Sequence, residues 1–266
     1  MTPVTVIRGA GPVVLGIPHA GTELPPDVTA DLNATGRALT DTDWHIDRLY
    51  EGLLPEATIV RANAHRYVID ANRDPEGTSL YPGQNTTTLV PLTDFDGRPI
   101  WTRPPSEAAI ANRRAAVHAP YHTALAEALM RAKARHGVAI LFDCHSIRSR
   151  IPFLFEGVLP DFNIGTNEGR SCAAEVAEAV HEICNAASVY TTVRDGRFKG
   201  GWTTRHYGRP ADGIHAIQME LAQSTYLATE AAPWVFDRAK ARALRRHLRQ
   251  MLTALADLAP KLGGFS

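Results

Sequence analysis

The chain has 266 residues, 44% hydrophobic and 21% charged, which suits a folded domain with a sizeable core and excludes a disordered or fibrous chain. Its 28 basic and 28 acidic residues cancel to a formal charge of +0, so neither a nucleic-acid backbone nor an anionic membrane is expected as a partner. The odd set Cys144, Cys172 and Cys184, an opening stretch broken by Gly9, Gly11, Pro12 and Gly16, and the lack of a long apolar window point to a cytoplasmic protein without disulfides, secretion signal or membrane span.

Taken in chain order, short apolar β-branched runs alternate with long amphipathic stretches. Strands are predicted at residues 13–17, 58–61, 67–70, 138–144, 189–193 and 214–221, and helices at 42–53, 106–135, 171–186 and 232–258. Ser106, followed by Glu107, and Ser171 are the expected caps of the two middle helices. This order predicts an α/β fold: one domain over residues 1–266, a mostly parallel twisted sheet, and helices on both faces. Three long connections, 75–103, 146–170 and 195–213, are where binding and catalysis are expected. The first contains an Asn85-Thr86-Thr87 sequon, which a cytoplasmic chain would not use.

Two predicted strands each deliver a histidine near the carboxyl end. Val13-Val14-Leu15-Gly16-Ile17-Pro18-His19 is one, and Leu141-Phe142-Asp143-Cys144-His145 is the other. The carboxyl ends of strands border the ligand crevice of an open α/β sheet, so His19 and His145 are candidate metal ligands. A carboxylate should complete the set. Glu23, Asp43 and Asp47 are the candidates, the last two sharing a face if the helix at 42–53 forms. Arg66 and Arg73 bracket the segment 67–70, and guanidinium forks suit an anionic substrate. Glu220 lies inside an apolar strand, a costly place for a carboxylate unless it is paired or used as a general base toward water at a metal.

Together these motifs resemble the N-formylglutamate amidohydrolases. The likeness rests on Pro18-His19-Ala20-Gly21, Thr40-Asp41-Thr42-Asp43-Trp44, Asp70-Ala71-Asn72-Arg73, Asp143-Cys144-His145-Ser146-Ile147-Arg148-Ser149, Gly196-Arg197-Phe198-Lys199-Gly200-Gly201 and Glu220-Leu221-Ala222-Gln223. That family is similar to the zinc carboxypeptidases and aspartoacylases, which implies a fold of the zinc-carboxypeptidase/phosphorylase-hydrolase kind. It further implies one divalent metal, zinc or alternatively cobalt or another ion, held by His19 and His145. Glu220 would be base and then acid, Arg66 would stabilise the oxyanion, and Asn72 and Arg73 would hold a carboxylate. The implied reaction is hydrolysis of N-formyl-L-glutamate to formate and L-glutamate in histidine degradation. The alternative is a related zinc amidohydrolase or carboxypeptidase acting on another N-acyl amino acid.

The relatives place an acidic ligand three residues after the first histidine, where this chain has Thr22; Asp43 is therefore preferred, with Asp47 and Glu23 still open. Arg148, Lys199 and Arg205 join the substrate-binding set on charge and loop position alone. The 196–201 run lacks the order of a phosphate loop and reads as a flexible lid carrying Arg197 and Lys199 over an anionic ligand. His45, His65, His118, His122 and His206 keep structural readings, and Cys144 is set aside as a nucleophile because His145 points to the other side of its strand.

Overall fold

A computed structural model describes residues 2–78 and 86–264. Asn85 and residues 79–84 of the first predicted loop lie outside that set. Seven strands, β1 (Val4–Ile7), β2 (Val13–Ile17), β3 (Thr58–Ala62), β4 (Ala139–Ile147), β5 (Phe162–Gly165), β6 (Thr192–Arg194) and β7 (Ile214–Ala222), form one sheet in the order β1-β3-β2-β4-β7-β5-β6. The central four, β3, β2, β4 and β7, run parallel; β1 is antiparallel to β3, and β5, with β6 parallel beside it, is antiparallel to β7.

The helices are α1 (Pro26–Asp31), α2 (Ala34–Arg37), α3 (Ile46–Tyr50), α4 (Glu107–Arg113), α5 (Ala119–His136), α6 (Ala174–Ala186), α7 (Trp202–Tyr207) and α8 (Arg238–Leu262). Apolar side chains of α3, α6 and α8 cover one face of the sheet, and those of α5 cover the other. Strands covered on both sides are buried throughout, which is why β2 and the first half of β4 read as continuous apolar runs. Their side chains still alternate. Ile140, Phe142 and Cys144 of β4 enter the core under α8, whereas Ala139 and Leu141 face α5. Continuing along that second face, the next residues are Asp143 and His145. In β7 the same face begins with Ile214 and Ala216 and ends with Gln218 and Glu220. One side of the sheet thus changes from apolar to polar toward the strand ends.

Several expectations shift. Residues 67–70 form a buried turn and coil, not a strand: the Val68 amide bonds the His65 carbonyl at 2.9 Å, and the Tyr67 amide is taken by His65 Nδ1 at 3.1 Å. A short apolar run reports burial without specifying backbone shape, and this one belongs to a satellite core with Leu32, Ile100 and Trp101. The strand expected at 189–193 begins later, at Thr192. β1 and β5, four residues each, were not foreseen, and β5 falls inside the presumed 146–170 loop. The helix expected at 42–53 shrinks to α3 because His45 sits in the left-handed region at φ 60°, so Asp43 and Asp47 do not share a helical face.

The long helix predicted from Ser106 is continuous from Glu107 to His136 but passes through a π-helical turn at Arg114–His118, just before Pro120, which has no amide hydrogen to give the α ladder. Ser106 caps α4 through the Ala109 amide. Ser171 is not a cap, because its hydroxyl donates to the Ala216 carbonyl at 2.8 Å and α6 begins at Ala174. The last helix starts at Arg238, capped by Asp237, instead of at 232. Among the described residues no helix is long and apolar enough to cross a membrane.

Candidate active site

His19 stands two residues beyond β2, and His145 lies near the end of β4, paired directly across from Glu220 of β7. Their rings are 5.0 Å apart between centroids. Between them comes Asp43, brought in by the turn before α3, where its amide donates to the His19 carbonyl at 3.1 Å. Asp43 Oδ2 is 3.9 Å from His19 Nδ1 and 3.5 Å from His145 Nδ1, longer than well-made hydrogen bonds. All three groups are buried, and one ligand atom from each lies within 4.8 Å of the others. Of the three acidic candidates, Asp43 is therefore the one placed with the histidines. Asp47 forms an ion pair with Arg61 at 2.6 Å, and the Glu23 backbone pairs with Ala64.

The remaining ring nitrogens are occupied by carboxylates. His19 Nε2 lies 2.7 Å from Asp70 Oδ1, and His145 Nε2 lies 3.2 Å from both Asp143 Oδ1 and Asn72 Nδ2. A proton on His19 Nε2, donated to Asp70, leaves the Nδ1 lone pair of that ring free to face Asp43, the tautomer a carboxylate–histidine–metal arrangement requires. Burial, and then Arg66, lower the His19 pKa, so this imidazole is neutral and able to ligate. For His145 burial is outweighed by Asp143 and Asp43, which raise its pKa well above the usual range; the field that would hold a proton there also attracts a cation. The buried His19-Asp43-His145 group could thus bind a metal ion.

Sequence reasoning gave Asp70 and Asp143 no role. A signal was present in Leu141-Phe142-Asp143-Cys144-His145: an aspartate two positions before a strand histidine lies on the same face. For Asp70 burial alone would raise the pKa, but Arg66, His19 and Arg73 hold it well below the carboxylate range, so it stays ionised. Arg66 Nη2 donates to Asp70 at 2.7 Å, Nη1 lies 3.8 Å from Asp43, and the guanidinium covers the Phe95 ring at 4.8 Å. Arg66 joins the two carboxylates that flank His19.

A pocket opens over these groups. His19, His145 and Glu220 line it, together with Arg66, Asn72, Arg73, Arg197, Phe198, Gly200 and Gly201. Burial pushes the Glu220 carboxyl up to about 8 despite the opposing pull of His145, and Gln218 Nε2 donates to it at 3.2 Å. Its proton affinity therefore lies near neutrality, as acid–base exchange with a substrate requires. Gly201 has a steric reason to be glycine: a Cβ there would collide with the Asn72 amide. The Thr203 amide donates to Asn72 Oδ1 at 2.9 Å, tying the start of α7 to the same side chain.

The substrate-binding expectations divide. Asn72 and Arg73 line the pocket, as does Arg197. Arg148, Lys199 and Arg205 are outside the described lining: Arg148 pairs with Asp96 at 3.0 Å, Lys199 with Glu168 at 2.8 Å, and Arg205 Nε donates to the Gly200 carbonyl at 2.8 Å. Loop position and charge could not separate the cation that faces the pocket from those that brace its rim. Cys144 points into the apolar core, where burial raises its thiol pKa well above the usual range, consistent with its exclusion as a nucleophile.

The architecture and the site define a mostly parallel α/β protein with a buried His-Asp-His donor set beside a glutamate. The sequence profile described as N-formylglutamate amidohydrolase matches residues 11–227. The chain belongs to that family. It is 47% identical over 252 residues to the N-formylglutamate deformylase of Pseudomonas aeruginosa, covering 93% of this chain and 94% of that protein. It is 43% identical over 251 residues to the enzyme of the same name from Pseudomonas putida, with 93% of each covered. A crystal structure of an N-formylglutamate amidohydrolase from Ralstonia eutropha superposes with a TM-score of 0.82 at 27% identity, spanning 98% of this chain and 99% of that one. A protein from Agrobacterium tumefaciens, at 22% identity and a TM-score of 0.71, shares the fold over 97% and 96% of the two chains.

Proposed function

We propose that the chain hydrolyses N-formyl-L-glutamate to formate and L-glutamate, with a divalent cation, zinc by preference, held by His19, Asp43 and His145. The observation that carries this reading is the convergence of both Nδ1 atoms and an Asp43 oxygen beside Glu220, in a chain 47% identical to a protein named N-formylglutamate deformylase. Two imidazoles and one carboxylate are a common catalytic zinc donor set. When bound, such a cation supplies Lewis acidity that activates water and polarises the formyl carbonyl.

The rest is done by side chains. Glu220 accepts a proton from the attacking water and returns it to the leaving amine, a cycle that its raised proton affinity favours. Arg66 offers positive charge where negative charge develops on the carbonyl oxygen, while its ion pairs fix Asp43 and Asp70. Asp70 and Asp143 orient the two histidines. Arg73, with Asn72, and Arg197 hold the two carboxylates of the substrate. Arg148, Lys199 and Arg205 act indirectly, the last two by bracing the 196–201 segment.

Formate release from N-formylglutamate, assayed before and after removal of metal with a chelator and again after restoring zinc, tests the reading. Activity should vanish and return; undiminished turnover by metal-free protein would overturn it.

A further inference from the structure

A second group of histidines lies behind the Asn72 wall. His118 ends the π-helical turn and His122 follows one helical turn later on α5. His118 Nε2 lies 3.0 Å from the Arg73 carbonyl, and His122 Nε2 lies 2.8 Å from the Ala71 carbonyl. The two histidines therefore take the carbonyls on either side of Asn72. Each Nε2 must carry the proton to donate, which leaves His122 Nδ1 as the acceptor for the Tyr207 hydroxyl at 3.0 Å. Burial lowers the pKa of both, His122 to about 3, so both imidazoles are neutral across the physiological range and these bonds do not switch with pH there.

The group also reaches α7. Trp202, the first residue of α7, meets His122 edge-on at 4.7 Å between centroids, approaches His118 at 5.8 Å and stacks on His206 at 4.3 Å. Through Thr203 and Gly201 that helix start is pressed against the Asn72 amide. Asn72 is thus held from behind by α5 and from the side by α7. The backbone at 70–73 is irregular and forms no sheet ladder, so side chains have to satisfy its buried carbonyls.

We propose that His118 and His122 are positioning residues that fix the Ala71-Asn72-Arg73 backbone, so that Asn72 and Arg73 present one arrangement to the anionic end of the substrate. The inference rests on the functional reading above, in which Arg73 and Asn72 grip a substrate carboxylate. Neither histidine lines the pocket or touches the His-Asp-His group, so their influence on His145 is indirect, through its 3.2 Å contact with the Asn72 amide, and falls first on capture of substrate.

Replacing each histidine with Leu and with Gln tests this, because glutamine carries an N–H donor near the position of Nε2 and leucine carries none. The expected result is that His118→Leu and His122→Leu raise KM for N-formylglutamate about tenfold, the order expected when a charged hydrogen-bonding group is misplaced, while kcat stays within about threefold. Metal content should be unchanged, and the Gln variants should recover most of the wild-type KM. Hydrogen exchange over residues 68–78 in substrate-free protein should speed up in the Leu variants and not in the Gln variants. Unchanged KM in folded Leu variants would overturn the proposal, as would Gln variants no better than Leu, or equal falls of kcat in all four. The exchange measurement needs no substrate, so a wild-type protein that fails to cleave N-formylglutamate would sink the functional reading while the backbone clamp is still judged on its own.

Discussion

Where β4 and β7 lie side by side, His145 faces Glu220 in register, and neither can move without shifting a strand hydrogen-bonded along both edges. Elsewhere in the pocket lining, Asn72, Arg73 and Arg197 come from irregular backbone, and each is held by individual contacts: Asn72 by the Thr203 amide, Arg73 by the Thr87 carbonyl and hydroxyl, and Arg197 by the Leu154 carbonyl. The strand wall gets its precision from the sheet itself. The loop wall depends on a few individual hydrogen bonds. In the proposed reaction, the groups that would handle bond-making sit where geometry is most rigid, and those that would recognise charge sit where a local change can retune them.

Breaking the strand wall should therefore cost turnover, and the largest effect belongs to Glu220. Glu220→Gln should lower kcat by roughly 10²–10⁴-fold, the range for a lost general acid–base group, with metal still bound. The pH dependence sharpens the point. Glu220 must be ionised to accept a proton, and burial places its titration at about 8 without a cation, which a bound cation would lower. Rate should thus fall as pH drops through that titration, and the acid limb should disappear from the residual activity of Glu220→Gln; a retained limb would assign it to another group.

Next come the carboxylates behind the histidines. Asp70→Asn and Asp143→Asn should each weaken metal affinity by roughly 10–100-fold, measured by competition with a coloured chelator. Asp70 should show the larger effect, because its contact is the shorter and it also anchors Arg66.

On the loop wall the changes should appear mainly in KM. Arg73→Gln and Arg197→Gln should each raise KM by roughly 10–100-fold, the worth of a hydrogen bond to a charged partner. Lys199→Gln should stay within about twofold, since an exposed ion pair contributes little. If Lys199 proved the most damaging of the three, the assignment of the cationic wall would need to be redrawn.

The parallel core was legible because strands buried on both faces are rich in apolar residues, and β2 and β4 each carry a histidine at or just beyond the carboxyl end. The shorter elements were not. β1 and β5 carry only four residues each, too few for a period to register, and residues 67–70 show how an apolar segment can be buried without being a strand. The same limit governs the site. His19, His145 and Glu220 could be singled out because strand ends converge by topology, whereas Asp43 could be ranked only by a departure from the family pattern at Thr22.

The sequence by itself determined the sheet class, the two histidines and the buried glutamate, since apolar periodicity and strand position are properties of the chain read locally. Tertiary structure decided that Asp43 and not Asp47 turns inward, that Asp70 and Asp143 stand beside the two histidine rings, and that Arg197 faces the pocket while Lys199 and Arg205 lie outside its lining. Those choices depend on where loops distant in sequence come to rest, and hydrogen bonds between segments as far apart as Asn72 and Thr203 leave no periodic trace in either segment.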